Sequence, residues 1–215
     1  MKTKDQVTIT VLMATYNTPF EMAKRAIDSV INQDFKDFEL IILDDGSDIE
    51  TSCKLLEYVQ HFEDKVSYLK HKNRGQPNTI NRGIMLCNST YISFIDADDE
   101  YKVNHLSTCL NAMANYDLVA THTETVVNAF EDHYVPDVHN NNVTIHVDDC
   151  ILFATLFGKT EVFKKNIFEN KYGADSTFYE QVSKNYNVAK LPTRTYIYYR
   201  NYSNSMTAIM KNNID

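Results

Sequence analysis

The chain has 215 residues, 43% of them hydrophobic and 12% aromatic, which suits one domain with a sizeable core. Its formal net charge of −8 argues against a polyanionic partner such as duplex nucleic acid, which normally meets a basic face. No apolar run approaches the roughly 20 residues that cross a bilayer, and the amino-terminal MKTKDQ lacks the apolar centre of a signal peptide, so a soluble, cytoplasmic protein is expected.

The first hundred residues alternate short apolar runs with helical patterns. VTITVLMA (7–14), FELIIL (38–43), KVSYLK (65–70) and YISFI (91–95) read as strands. Between them, residues 19–33 carry Ala23, Ala26, Ile27, Val30 and Ile31 on one helical face, and helices are also expected over 49–62 and 76–87. This alternation predicts crossover connections and an α/β fold with a mostly parallel sheet covered on both faces. After Asp117 the pattern loosens into LVATHTETVV, read as a strand, and then VPDVHNNNVTIHVDD (135–149), read as a long loop or hairpin. A last helix is expected over Ser176 to Tyr186. No repeat or linker divides the chain, so a single domain over 1–215 is expected.

In such a sheet ligands collect at the carboxyl ends of the strands. Those ends hold Thr15, Tyr16 and Asn17 after the first strand, Asp44 to Ser47 after the second, and Asp96 to Asp99 after the fourth. The first strand runs into ATYNTPFE, with neither a GxGxxG turn nor a GxxxxGK[ST] loop, so this is no dinucleotide fold and no P-loop. A diphosphate can instead be held by a divalent cation on one or two carboxylates. Asp96-Ala97-Asp98 has the form for this, since residues i and i+2 leaving a strand point the same way. Alone the D-x-D pattern is weak, because acidic turns after strands also serve as helix caps and solvated corners. The four cysteines form no CxxC pair and read as free thiols. His122, His139 and His146 lack metal-ligand spacing, and Phe153, Phe157 and Phe163 read as core.

Four blocks in order, TVLMATYNTP, SVINQDFKDFELIILDDGSD (29–48), NRGQPNTINRGI (73–84) and YISFIDADD (91–99), resemble glycosyltransferase family 2, whose members have the GT-A fold. The resemblance is close over the first half and loose over the second. It implies a mostly parallel central sheet flanked by helices with a small antiparallel portion in the second half. The first hundred residues would bind the nucleotide-sugar and 101–215 the acceptor.

Carried over position by position, the resemblance implies that Thr15, Tyr16 and Asn17 pack on the nucleobase and that Asp44 reads its edge. Asp45 to Ser47 form a turn, as well a structural corner as a ligand. Gly75 lets the backbone approach the nucleotide and Asn81 caps or contacts it. Many relatives have arginine just before that asparagine; here Ile80 stands there, leaving Arg74 and Arg82 as the available cations. Asp96 resembles the acid near the ribose and donor sugar and Asp98 the metal ligand, with Asp96 as a second ligand. Asp99 is expected to cap a helix beginning near Tyr101 or Lys102.

In YGADSTFYEQV (172–182), Asp175 stands where relatives have a Glu-Asp pair and resembles the catalytic base, with Ala174 in place of the glutamate; a helix-capping role is compatible. YIYYRNYSNSMT (196–207) resembles the closing strand, making Arg200 a diphosphate clamp, with Tyr202 where relatives often have histidine. The resemblance thus implies an inverting transferase dependent on Mn²⁺ or Mg²⁺. It would move a hexose or deoxyhexose from a nucleotide-diphosphate sugar, a UDP-sugar by preference, to a glycan or glycoconjugate hydroxyl. Because Ala174 and Tyr202 depart from the pattern, the rival reading is an inactive module that binds nucleotide-sugar or glycan.

Overall fold

The computed structural model describes residues 7–140 and 142–201. The first half alternates as its pattern required: β1 (Ile9–Thr15), α1 (Phe20–Ile31), β2 (Phe38–Asp44), α2 (Ile49–Val59), β3 (Val66–Lys70), α3 (Gln76–Leu86) and β4 (Tyr91–Asp96). Every residue of β1 except Ala14 is buried, because helices cover both faces of its strand. Alternate β1 side chains divide between two cores: Ile9, Val11 and Met13 pack with Ala23, Ile27 and Val30 of α1, whereas Leu12 packs with Ile80 and Ile84 of α3. The α2 start is fixed by Asp48, whose carboxylate accepts the Thr51 N–H at 2.8 Å.

The second half comprises β5 (Glu100–Tyr101), α4 (His105–Ala112), β6 (Leu118–Val126), β7 (Tyr134–Pro136), β8 (Thr144–His146), β9 (Leu156–Lys159), α5 (Thr160–Lys165), α6 (Ala174–Ser183) and β10 (Val188–Tyr199). Eight strands form one sheet in the order β3-β2-β1-β4-β9-β6-β10-β5, while β7 and β8 pair as a separate hairpin. Neighbours β1 to β4 are parallel, as are β6 and β10; β9 runs antiparallel between β4 and β6, and β5 antiparallel to β10. Mostly parallel with an antiparallel portion in the second half, the sheet has the expected fold class. Phe157 and Phe163 are buried, and Phe153 packs on both cores.

The helix expected near Tyr101 is absent. Glu100 and Tyr101 form β5 on β10, and α4 starts at His105 behind Asn104. Asp99 therefore caps no helix: Oδ1 accepts the Tyr199 N–H at 2.8 Å and Oδ2 the Tyr196 hydroxyl at 2.7 Å. Among the described residues no helix is long and apolar enough to cross a membrane.

Candidate active site

Strand register brings the polar segments to one rim, with Thr15 beside Asp44 and Ala14 beside Asp96. Asn17 stitches the first two loops together, its amide oxygen accepting the Asp48 N–H at 2.8 Å and its N–H reaching Ser47 Oγ at 2.9 Å. Its φ of 49° lies in the left-handed region that asparagine tolerates. Thr15 is buried and bonded to Thr18, whereas Tyr16 stands 54% exposed above the rim.

Asp44, expected to read the base edge, lies beneath the rim. It is fully buried, and it accepts Gly46 N–H at 3.0 Å, Ser47 N–H at 2.7 Å, Ser52 Oγ–H at 2.8 Å and the Tyr68 hydroxyl. Burial alone would raise its carboxyl, but the bonds from Tyr68, Ser47 and Ser52 hold it below the ordinary range. Asp45 likewise accepts Arg74 N–H at 2.7 Å, Gly75 N–H at 2.8 Å and Thr79 Oγ–H at 2.8 Å. Both acids set the rim's shape from beneath. Asn81 is also committed to the protein, since its amide exchanges bonds of 2.8 and 3.0 Å with the backbone of Phe168. Gly75, at φ 83°, turns the chain into α3 with its N–H spent on Asp45.

That turn delivers Gln76, which sequence reading did not single out, to the acid loop: its Nε2 donates to Asp96 Oδ1 at 2.7 Å. Burial, then the charge of Asp98, push the Asp96 carboxyl up to about 7; Gln76 pulls it down and Asp175 adds a further upward push. Burial also raises Asp98, against the pull of its own backbone and of Arg25, whose Nη2 donates to the Asp98 carbonyl. The Arg25 guanidinium lies 3.8 Å over the Tyr199 ring and 4.0 Å from Glu100. No local signal could have found Arg25, 73 residues upstream of the acid it holds.

Asp175 is the second residue of α6, behind Gly173 in the left-handed conformation at φ 68°. It is not the cap. Its Oδ1 accepts the Ser176 N–H at 2.9 Å and its Oδ2 the Phe153 N–H at 3.1 Å. Burial raises its carboxyl while those bonds restrain it. Arg200 is 7% exposed; its Nη2 points to the Tyr134 carbonyl at 3.4 Å, while Nε and Nη1 are buried with no partner among the described residues. Buried guanidinium donors left open in this way suit an anionic ligand. Tyr202 lies outside the described residues. Arg74 and Arg82 line an outward groove on α3 with Asn78, Asn81, Met85 and Leu86.

Among the described residues no group of three or more His, Cys, Asp and Glu side chains is arranged to hold a metal ion. The carboxylates of Asp96 and Asp98, both raised by burial and Asp96 also by the charge of Asp98, nevertheless fit a hard divalent cation that takes its remaining ligands from water and phosphate.

The profile described as "Glycosyl transferase family 2" matches residues 10–186. The chain belongs to this family of glycosyltransferases. An uncharacterized glycosyltransferase of Rickettsia bellii is 27% identical over 183 residues, covering 81% of this chain and 26% of that protein. The GalNAc(5)-diNAcBac-PP-undecaprenol beta-1,3-glucosyltransferase of Campylobacter jejuni is 28% identical over 188 residues, 82% of this chain and 60% of that one. The chain thus spans about a quarter of the Rickettsia relative's length. S. aureus TarS 1-349 in complex with UDP-GlcNAc shares the fold at a TM-score of 0.71 and 17% identity, over 94% of this chain and 60% of that one. The Pyrobaculum calidifontis mannosyltransferase PcManGT, in complex with GDP-Man and Mn²⁺, does so at 0.69 and 16%, over 90% and 57%.

Proposed function

We propose that the chain is the catalytic unit of an inverting, metal-dependent glycosyltransferase that moves a hexose or deoxyhexose from a nucleotide-diphosphate sugar, a UDP-sugar by preference, to a hydroxyl of a glycan or glycoconjugate. The observation that carries this reading is the meeting of Asp96, Asp98 and Asp175 at one rim, where the charges of the latter two both act on Asp96. The donor complexes named for TarS and PcManGT support the substrate class. The first hundred residues supply most of the donor site, joined there by Arg200, and the rest of the second half serves the acceptor.

Tyr16 offers the exposed ring for the base, on a loop that Asn17 fixes. Asp96 and Asp98 hold Mn²⁺ or Mg²⁺, with Gln76 orienting Asp96 and Arg25 fixing the Asp98 backbone. A bound divalent ion supplies neutralisation of charge on the leaving diphosphate. Arg200 contributes its open guanidinium donors to the same diphosphate. Asp175 accepts one N–H on each oxygen and keeps lone pairs for the proton of the acceptor hydroxyl. Its raised carboxyl makes it a stronger base than an ordinary aspartate.

The test is thermal melting against UDP- and GDP-sugars, with and without Mn²⁺, followed by nucleotide release from any donor that binds. A donor that raises Tm only with metal, and is then cleaved, is the expected result. No stabilisation by any donor overturns the reading, and metal-dependent binding without turnover replaces it with a nucleotide-sugar-binding module.

A further inference from the structure

The outer face of α3 carries chemistry that the donor site leaves unused. Met85 is 66% exposed and Leu86 53% exposed at its end, and Ile167 is 67% exposed on the segment clamped to the helix through Phe168 and Asn81. Exposed apolar side chains of this size are ordinary singly; here two stand at the end of α3 and a third on the segment bonded to that helix. Arg74 and Arg82 line a groove of about 830 Å³ leading to Met85 and Leu86, and neither guanidinium bonds to any described residue. Lys164 stands near enough to Cys87, just past the end of α3, to act on its thiol electrostatically. The acids close by, Glu161 and Glu169, are paired with Lys165 at 3.4 Å and Lys171 at 2.8 Å.

The charge of this face is opposite to that of the chain. No Asp or Glu occurs from residue 65 to residue 95, although the protein has 29 acids against 21 Lys and Arg. An acidic protein is repelled by an anionic surface from most directions and attracted through a basic face.

We propose that this face docks on an anionic lipid bilayer, with Met85, Leu86 and Ile167 entering the interface and Arg74, Arg82 and Lys164 meeting the phosphate headgroups. A second copy of the chain fits poorly here, since a two-fold contact would set the same arginines against one another. The helix also sets the orientation: it begins at Gln76 on Asp96, so a bilayer along its outer face lies beside the catalytic rim. A glycan acceptor carried on a lipid would then be presented at the site. The docking itself does not rest on the proposed reaction.

Sedimentation with vesicles of phosphatidylcholine alone and of equimolar phosphatidylcholine and phosphatidylglycerol tests this, at low and high salt. Binding should require phosphatidylglycerol and weaken in salt. The double variant Met85→Glu/Ile167→Glu should lose roughly tenfold in vesicle partitioning and Lys164→Glu roughly fivefold. Unchanged thermal melting of these exposed-site variants shows that they fold. Absence of wild-type binding, binding indifferent to phosphatidylglycerol, or equal binding by the variants overturns the proposal. So does a concentration-dependent dimer that Met85→Glu abolishes, which assigns the face to a second copy.

Discussion

The Tyr196 hydroxyl holds both ends of the acid turn: it donates to Asp99 Oδ2 at 2.7 Å and accepts the Asp96 N–H at 3.2 Å. Tyr196 is 1% exposed, so neither bond competes with bulk water. The Asp96 to Asp99 turn is thereby anchored on β10, a strand about a hundred residues away in sequence. Tyr196→Phe leaves a buried Asp99 oxygen short of its donor, which should cost about 1 to 3 kcal/mol of stability in urea unfolding. Metal-dependent UDP affinity measured by calorimetry should fall as well, because Asp96 loses its backbone anchor. Wild-type values of both quantities would show that the turn is held without this hydroxyl.

Asp98 and Arg25 make a second expectation. Because Arg25 donates to the backbone carbonyl of Asp98, Asp98→Ala should keep that bond and the turn while removing the carboxylate proposed to hold the metal. UDP binding with Mn²⁺ should weaken at least about tenfold, and EDTA should do the same to the wild type. Unchanged metal-dependent affinity in the folded variant would take Asp98 out of the metal site.

How much of this was legible depends on whether the determinant is local. Strands β1 to β4 and helices α1 to α3 follow from apolar periodicity within ten or so residues, and the convergence of Thr15, Asp44 and Asp96 follows from parallel pairing. The same reading missed β9 and β5, because Leu156–Lys159 and Glu100–Tyr101 are too short to carry a period and owe their strand form to their neighbours. It placed a helix on Asp99 where long-range bonds to β10 decided otherwise. It did not foresee the internal bonds of Asp44 and Asn81, since an acid at a strand end or an amide within a helix looks alike in sequence whether it faces ligand or protein. Gln76 and Arg25 carried no signal at all.

Asp44 accordingly yields an expectation about stability. With four donors converging on a fully buried carboxylate, Asp44→Ala strands Tyr68, Ser52 and two backbone N–H groups, and should cost about 3 to 5 kcal/mol. Denaturant midpoints check this. A variant of near wild-type stability with weakened UDP binding would assign Asp44 the base-reading role instead.

His105 governs one part of the acid response. It is fully buried, stacked 3.9 Å from the Tyr101 ring, 2.8 Å from Thr195 Oγ1, with the Cys109 thiol at 3.9 Å and the Tyr196 ring at 6.1 Å. Burial lowers it from 6.5 to about 3. A folded-state value below the unfolded one means that its stabilisation is present above about pH 6.5 and is lost as pH falls toward 3, by at most about 1.4 kcal/mol per pH unit. Asp96 and Asp99, raised by burial, act in the opposite sense, so the comparison must be with a variant. The stability difference between wild type and His105→Gln should shrink between pH 7 and pH 5 in urea titrations. A constant difference would mean that the buried ring accepts a proton at ordinary cost.

Asp175 separates a transferase from a binding module. Its carboxylate accepts backbone N–H groups from Ser176 and Phe153, and Asp175→Asn keeps an oxygen for only one of them while removing the proton acceptor. Donor and metal binding should survive, since Asp96, Asp98 and Arg200 are untouched, while kcat falls roughly 10²- to 10⁴-fold, the usual worth of positioned proton transfer. A fall in kcat with unchanged donor affinity places the residue at the chemical step. The pH profile adds an independent reading: burial holds the Asp175 carboxyl above the ordinary aspartate range, so transfer in the wild type should be lost as pH falls through that raised value. In the asparagine variant that acid limb should vanish from the residual rate. Glu180, further along α6 and 3.0 Å from His139 Nε2, is the next acid to substitute if Asp175→Asn transfers sugar at the wild-type rate.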